Sequence, residues 1–180
     1  MQNPPQFPIR YATEADLPAI VAIYNATIPS KTVTGDIVPL TVEQRRTWFR
    51  SHDPQTHPIW VSEQDQTVTG WLSLRPFYGR PAYEGTAELS IYVSPQYRRQ
   101  GIGQILVKYA IAHCPKLHIS TLLGFVFAQN TPSLALLKKL GFEQWGFLPQ
   151  VAHFDTHSCD LVILGLTSPH PSDRSPVQNL

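Results

Sequence analysis

Apolar residues change their spacing several times along this chain, and each change marks an element. Pro8–Thr13 reads as a short strand. From Thr13 onward, Leu17, Ile20, Val21 and Tyr24 recur at helical spacing, with Thr13 and Asp16 placed as an N-terminal cap. A second helix is expected from Thr41, where Gln44 completes a capping box and Trp48 and Phe49 supply the apolar face. Three strands follow, at residues 58–63, 67–77 and 85–94, the first two joined by the polar turn Gln64–Gln66. Ile102, Ile105, Leu106, Tyr109 and Ala110 then define one buried helical stripe. Residues 120–128 are almost continuously apolar, as in a strand covered on both faces. Residues 131–142 form a short helix, with Thr131 as cap, Pro132 in the first turn and Gly141 closing it. Two strands end the pattern.

The order β α α β β β α β α β β predicts a mixed α/β fold, antiparallel early and with a crossover around the helix at 101–113. One domain over residues 8–166 accounts for all the elements. Residues 1–7 and the Pro-rich end, 167–180, are expected to be flexible. At 180 residues and a formal net charge of +1, the chain has enough apolar side chains for a core and no overall attraction to nucleic acid or membrane. Two cysteines form no disulfide framework, and the first residues lack the pattern of a secretion signal. A cytoplasmic protein is expected.

The near-neutral total hides an uneven distribution. No Asp or Glu occurs from Leu89 to Phe142, whereas that window holds Arg98, Arg99, Lys108, Lys116, Lys138 and Lys139. Within it, Ser94–Gly103 (SPQYRRQGIG) ends a strand, sets two arginines together and opens a helix with glycines at 101 and 103. A helix N-terminus offers unpaired N–H groups and partial positive charge, and glycine lets a ligand approach the backbone. A solvated turn is the plain alternative. A dinucleotide fingerprint is excluded, because Leu106 stands at the third glycine position and no acidic residue follows. A phosphate-binding P-loop is excluded by the missing Gly-Lys-Ser/Thr.

RRQGIG resembles the Arg/Gln-x-x-Gly-x-Gly/Ala signature of the GCN5-related N-acetyltransferases, and NTPSLALLKKLGF (130–142) resembles that family's second signature. The resemblance spans roughly residues 8–166, and RPAYEGTAELSIYVSP (80–95) narrows it to the phosphinothricin acetyltransferase-like subgroup. It implies a twisted, mostly antiparallel sheet with a splayed parallel pair and flanking helices. The implied co-substrate is acetyl-CoA, with no metal. Arg98, Arg99, Gln100, Gly101, Ile102 and Gly103 would hold its pyrophosphate, together with Asn130 and Ser133. The backbone at Tyr92 or Val93 would bind the thioester oxygen. Members of the subgroup are commonly dimers, so a homodimer is expected.

Acetyl transfer needs a neutral amine and a polarised thioester. Glu88 sits in an otherwise apolar strand, on the same face as Ser90 and Tyr92, so burial is expected to raise its pKa and suit it as base. It also matches the position of the subgroup's general base. The other reading is a strand-edge carboxylate paired to an arginine. For a small carboxylate-bearing amine acceptor, Arg75, Arg80 and Tyr83 are the candidate contacts, unless Arg80 instead pairs with Glu84 or Glu88. Leu137 departs from the family, which carries Tyr or His there to protonate the thiolate. That departure leaves open a non-catalytic acyl-CoA-binding module. A protein N-terminus or an antibiotic amine remains an alternative acceptor. His153, Asp155, His157 and Cys159 alternate as zinc-type ligands would, but a hairpin turn among them is expected to break the alignment.

Overall fold

A computed structural model describes residues 7–155 and 157–167. Its elements follow the expected order: β1 (Ile9–Tyr11), α1 (Leu17–Asn25), α2 (Val42–Arg50), β2 (Ile59–Gln64), β3 (Thr67–Pro76), β4 (Thr86–Val93), α3 (Ile102–His113), β5 (Thr121–Phe127), α4 (Thr131–Lys139), β6 (Glu143–Phe154) and β7 (His157–Thr167). They build one seven-stranded sheet in the order β1-β2-β3-β4-β5-β7-β6. All neighbours are antiparallel except β4 and β5. This is the mixed sheet with one parallel pair that the sequence implied.

Strand alternation sends side chains to two cores. Trp60, Leu72, Leu74, Ala87 and Leu89 meet Ile102, Leu106, Val107 and Ala110 of α3 on one face. Ile59, Val61 and Trp71 meet Ile20, Ile23 and Tyr24 of α1 on the other, with Trp48 and Phe49 of α2 packed beside them. The β4/β5 pair is short. It joins Thr86 to Thr121, Ala87 to Leu122 and Glu88 to Leu123, and the rest of each strand runs on without its neighbour.

Several local expectations change. The first helix opens as a 3-10 turn at Glu14–Asp16, because Pro18 has no N–H for an α-type bond. Its capping residues are as expected: the Thr13 N–H donates to Asp16 (2.7 Å), and Arg10 grips both oxygens of that carboxylate at 2.7 and 2.8 Å. On α3, Ile105 is exposed and Val107 is buried, so the stripe runs through 102, 106, 107 and 110. Both flanks of Leu106 are aliphatic, and the helix docks on the Val107 side. The cap of α4 is Asn130 rather than Thr131, its Oδ1 accepting the Ser133 N–H at 3.2 Å. Phe7, placed with the flexible end, is buried in the α3-side core. Residues 1–6 and 168–180 lie outside the described residues. Among the described residues no helix is long and apolar enough to cross a membrane.

Candidate active site

Beyond Glu88 and Leu123 the diverging strands open a cleft of about 700 Å³. Its walls come from Ile91, Tyr92 and Val93 of β4, the start of α3, and Asn130, Ser133 and Leu136 near α4. Arg98, Arg99, Gly101, Ile102 and Gly103 line it, while the exposed Gln100 does not. Gly101 holds φ +84°, a left-handed conformation that glycine adopts without strain. Ile105 is the first residue of α3 whose N–H finds a backbone acceptor, Gly101 O at 3.0 Å. The earlier N–H groups therefore face the cleft mouth beside two exposed guanidiniums, an arrangement suited to an oxyanion. Space at Gly103 is tight: a Cβ there would lie 3.0 Å from Leu136 Cδ2, a side-chain end that would have to give way.

The roof is the segment after α1, which contributes Thr27, Ser30, Thr32 and Val33. The last two residues of α1 fix it. Asn25 donates to Leu40 O (2.8 Å) and accepts from its N–H (2.9 Å), and the Tyr24 hydroxyl bonds both Thr34 and Asp36. Cys159 Sγ lies 3.8 Å from Lys31 O, so the β7 end also touches this segment.

A second, smaller pocket of about 180 Å³ shares Tyr92 with the cleft. Cross-strand register builds its floor. Trp71 opposes Tyr92, Ser73 opposes Ser90 and Arg75 opposes Glu88, so all six side chains share one face. Tyr24, Arg45 and Trp48 close it from α1 and α2. Tyr92 stacks on Trp71 (4.5 Å between centroids), and burial pushes its phenol pKa well above the ordinary value, so it stays protonated. Burial, followed by the Asp36 carboxylate, raises that of Tyr24. The Glu88 side chain keeps 26% exposure, with Arg75 at 3.3 Å. The sealed apolar setting expected for this carboxylate is thus not reached. An arginine does pair with it, as the alternative reading held, but from β3 rather than from Arg80.

Of the expected acceptor contacts, only Arg75 lines this pocket. Arg80 and Tyr83 sit on an exposed turn, where Tyr83 packs on Phe77 and Tyr78. Leu137 is 2% exposed and turned toward Gly124 of β5, lining neither cavity. His153 and Ser158 face each other across the β6/β7 hairpin, as do Phe154 and His157, so the turn breaks the alternation as expected. Among the described residues no group of three His, Cys, Asp or Glu is placed to hold a metal. Sequence reasoning missed Arg45, Trp48, Ser73 and the Thr27–Val33 roof. The Tyr24-Asn25 pair was the available signal for the roof.

A sheet split at a parallel pair, with a glycine turn opening the next helix at the split, is the arrangement that the resemblance to the N-acetyltransferases implied. The chain belongs to the acetyltransferase (GNAT) family, whose profile matches residues 20–142, and it is an N-acetyltransferase. The non-catalytic reading left open by Leu137 is thereby set aside. Its relatives are specific. It is 45% identical over 158 residues to the Bacillus subtilis (strain 168) protein provisionally named phosphinothricin acetyltransferase YwnH, covering 87% of this chain and 96% of that one. It is 33% identical over 162 residues to the L-methionine sulfoximine/L-methionine sulfone acetyltransferase of Pseudomonas paraeruginosa (strain DSM 24068 / PA7), covering 88% and 92%. Among solved structures, yncA of Salmonella typhimurium, provisionally named an acetyltransferase and solved with its cofactor acetyl-CoA, superposes with a TM-score of 0.86. That match is 26% identical and covers 92% of this chain and 95% of the other.

Proposed function

We propose that this protein transfers the acetyl group of acetyl-CoA to the amine of a small carboxylate-bearing substrate, an amino acid or a compound like phosphinothricin or methionine sulfone. The observation that carries this reading is the small pocket, in which Glu88 and a guanidinium stand together and which meets the cleft at Tyr92. The names of the relatives above point to the same substrates.

In this reading Arg98, Arg99 and the N–H groups up to Gly103 take the pyrophosphate, with Gln100 at the rim and Asn130 and Ser133 on the far wall. The acceptor enters from the small pocket and Arg75 helps to place it, with Arg80 and Tyr83 outside on the exposed turn. Glu88 takes the ammonium proton, directly or through water, and frees the lone pair that attacks the thioester carbon. The backbone at Tyr92 and Val93 steadies the oxygen as it gains charge. The carbon–sulfur bond then breaks, the attacking nitrogen gives its surplus proton to water, and the thiolate takes one from water, which suffices for a thiol of ordinary pKa. Leu137 therefore leaves the reaction intact. The protein acts as a cytoplasmic homodimer in this reading.

The test is thiol release from acetyl-CoA by purified protein across a panel of amino acids, phosphinothricin, methionine sulfone, N-terminal peptides and aminoglycosides. Turnover confined to the small carboxylates is expected. Turnover only with peptides or aminoglycosides would replace the acceptor class and leave the donor standing.

A further inference from the structure

Arg45 is the charged residue of the small pocket that sequence reasoning passed over. Its guanidinium lies 4.5 Å from the Tyr24 ring centroid and 4.6 Å from that of Trp48. Arg10, Arg46, Arg50 and Arg75 all have carboxylate partners, whereas Arg45 has none among the described residues. Its side chain also makes no hydrogen bond to a described residue, and it lies over the two rings. Stacking occupies the faces of a guanidinium and leaves its in-plane N–H groups available. Such a group is already ordered, so binding an anion costs it little further freedom.

The neighbouring charges assign it a task. Two guanidiniums, Arg45 and Arg75, share the pocket with one carboxylate, Glu88. Arg75 is engaged with Glu88 at 3.3 Å and is about half exposed. That leaves Arg45 as the guanidinium of the pocket with no carboxylate partner among the described residues, with Asp36 reaching only the hydroxyl of the Tyr24 ring that Arg45 covers.

Building on the acceptor class proposed above, we propose that Arg45 is the specificity-determining anchor of the acceptor site, binding the substrate's carboxylate so that its amine reaches Glu88. Arg75 then helps to place the substrate indirectly, by orienting Glu88. The site selects zwitterionic α-amino acids over plain amines, because removal of the carboxylate leaves Arg45 unpaired against its two rings.

The experiment compares methionine sulfone with its decarboxylated amine, using wild type, Arg45→Gln, Arg45→Lys and Arg75→Gln. Arg45→Gln is expected to raise the methionine sulfone KM about 10- to 100-fold, the range for losing a charge-assisted hydrogen bond in a pocket. The acetyl-CoA KM should stay within about twofold, which also reports that the variant is folded. The preference for the acid over the amine should collapse with Arg45→Gln and return in part with Arg45→Lys. An unchanged preference in Arg45→Gln, with Arg75→Gln losing it, overturns the assignment and makes Arg75 the anchor. Wild type that acetylates the decarboxylated amine as readily as the acid overturns the acceptor class itself. A purely structural Arg45 would lower turnover of both acceptors alike, and that result too overturns the proposal.

Discussion

Replacing Glu88 by Gln tests the chemistry while leaving shape almost unchanged. The amide keeps the size of the carboxylate and its place opposite Arg75, but cannot take a proton from the amine. A positioned base contributes roughly 10²- to 10⁴-fold, so kcat with a good acceptor should fall by that factor, or about 3–5 kcal/mol of barrier. Stability should hardly move. Glu88 and Arg75 keep 26% and 48% of their side-chain surface in solvent, and such pairs contribute at most about 1 kcal/mol. At this chain length that is a melting shift of no more than about 4 °C. Glu88 lines the small pocket and not the larger cleft, so acetyl-CoA affinity by calorimetry should be unchanged. The residual rate should climb with pH, since the variant must wait for amine deprotonated in solution. A kcat within threefold of wild type would remove Glu88 from the mechanism. Lost acetyl-CoA affinity would show instead that the residue holds the sheet in shape.

Three further outcomes follow from the same structure. Gly103→Val should raise the acetyl-CoA KM by about tenfold or more and leave the acceptor KM alone, because the new side chain fills the cleft wall beside Leu136. Leu137→His should not raise kcat. Placing a polar ring at a site 2% exposed should cost about 2–5 kcal/mol, read as a melting point lower by roughly 10 °C, and a clear gain in turnover would place this position at the reacting sulfur. Arg10, followed by hydrogen bonds from Thr13, holds the Asp16 carboxyl below its ordinary value. The folded pKa therefore lies below the unfolded one, so this stabilisation is complete above about pH 4 and fades as pH drops through the folded value. Asp16→Asn should be the less stable protein in urea at pH 7, with the gap to wild type narrowing at pH 3; a constant gap would refute the linkage.

Periodicity carried the element order because each element is apolar on one side at a spacing that sheet or helix alone satisfies. Its failures were at places of local equivalence. Thr131 and Asn130 can both cap α4, and only Asn130 has a side chain reaching the Ser133 N–H. Ile105 and Val107 flank the same stripe, and the docking angle of α3 chose between them. The lining of the larger cleft was legible because much of it is contiguous, RRQGIG with Asn130 further on. The small pocket is assembled from four elements, and its parts look ordinary in isolation. Arg45 lies in VEQRRTWFR, a run whose charges read as a solvated helix face. Trp48, three residues on, was a local hint, but Tyr24 comes from another helix. Arg80 and Tyr83 were drawn in by nearness in sequence to Glu88, and the exposed turn carries them away.

The short parallel ladder between β4 and β5 also divides the sheet into two leaves, β1 to β4 and β5-β7-β6, stitched at Thr86–Glu88 and Thr121–Leu123. A sheet transmits strain along continuous rungs, and here the rungs stop at Glu88, which lines the small pocket. Whatever occupies the seam beyond it becomes a structural tie between the leaves as well as a reactant. Under the proposed function, loading the coenzyme would therefore also stiffen the joint between the leaves, and its release would leave only the short ladder to hold them.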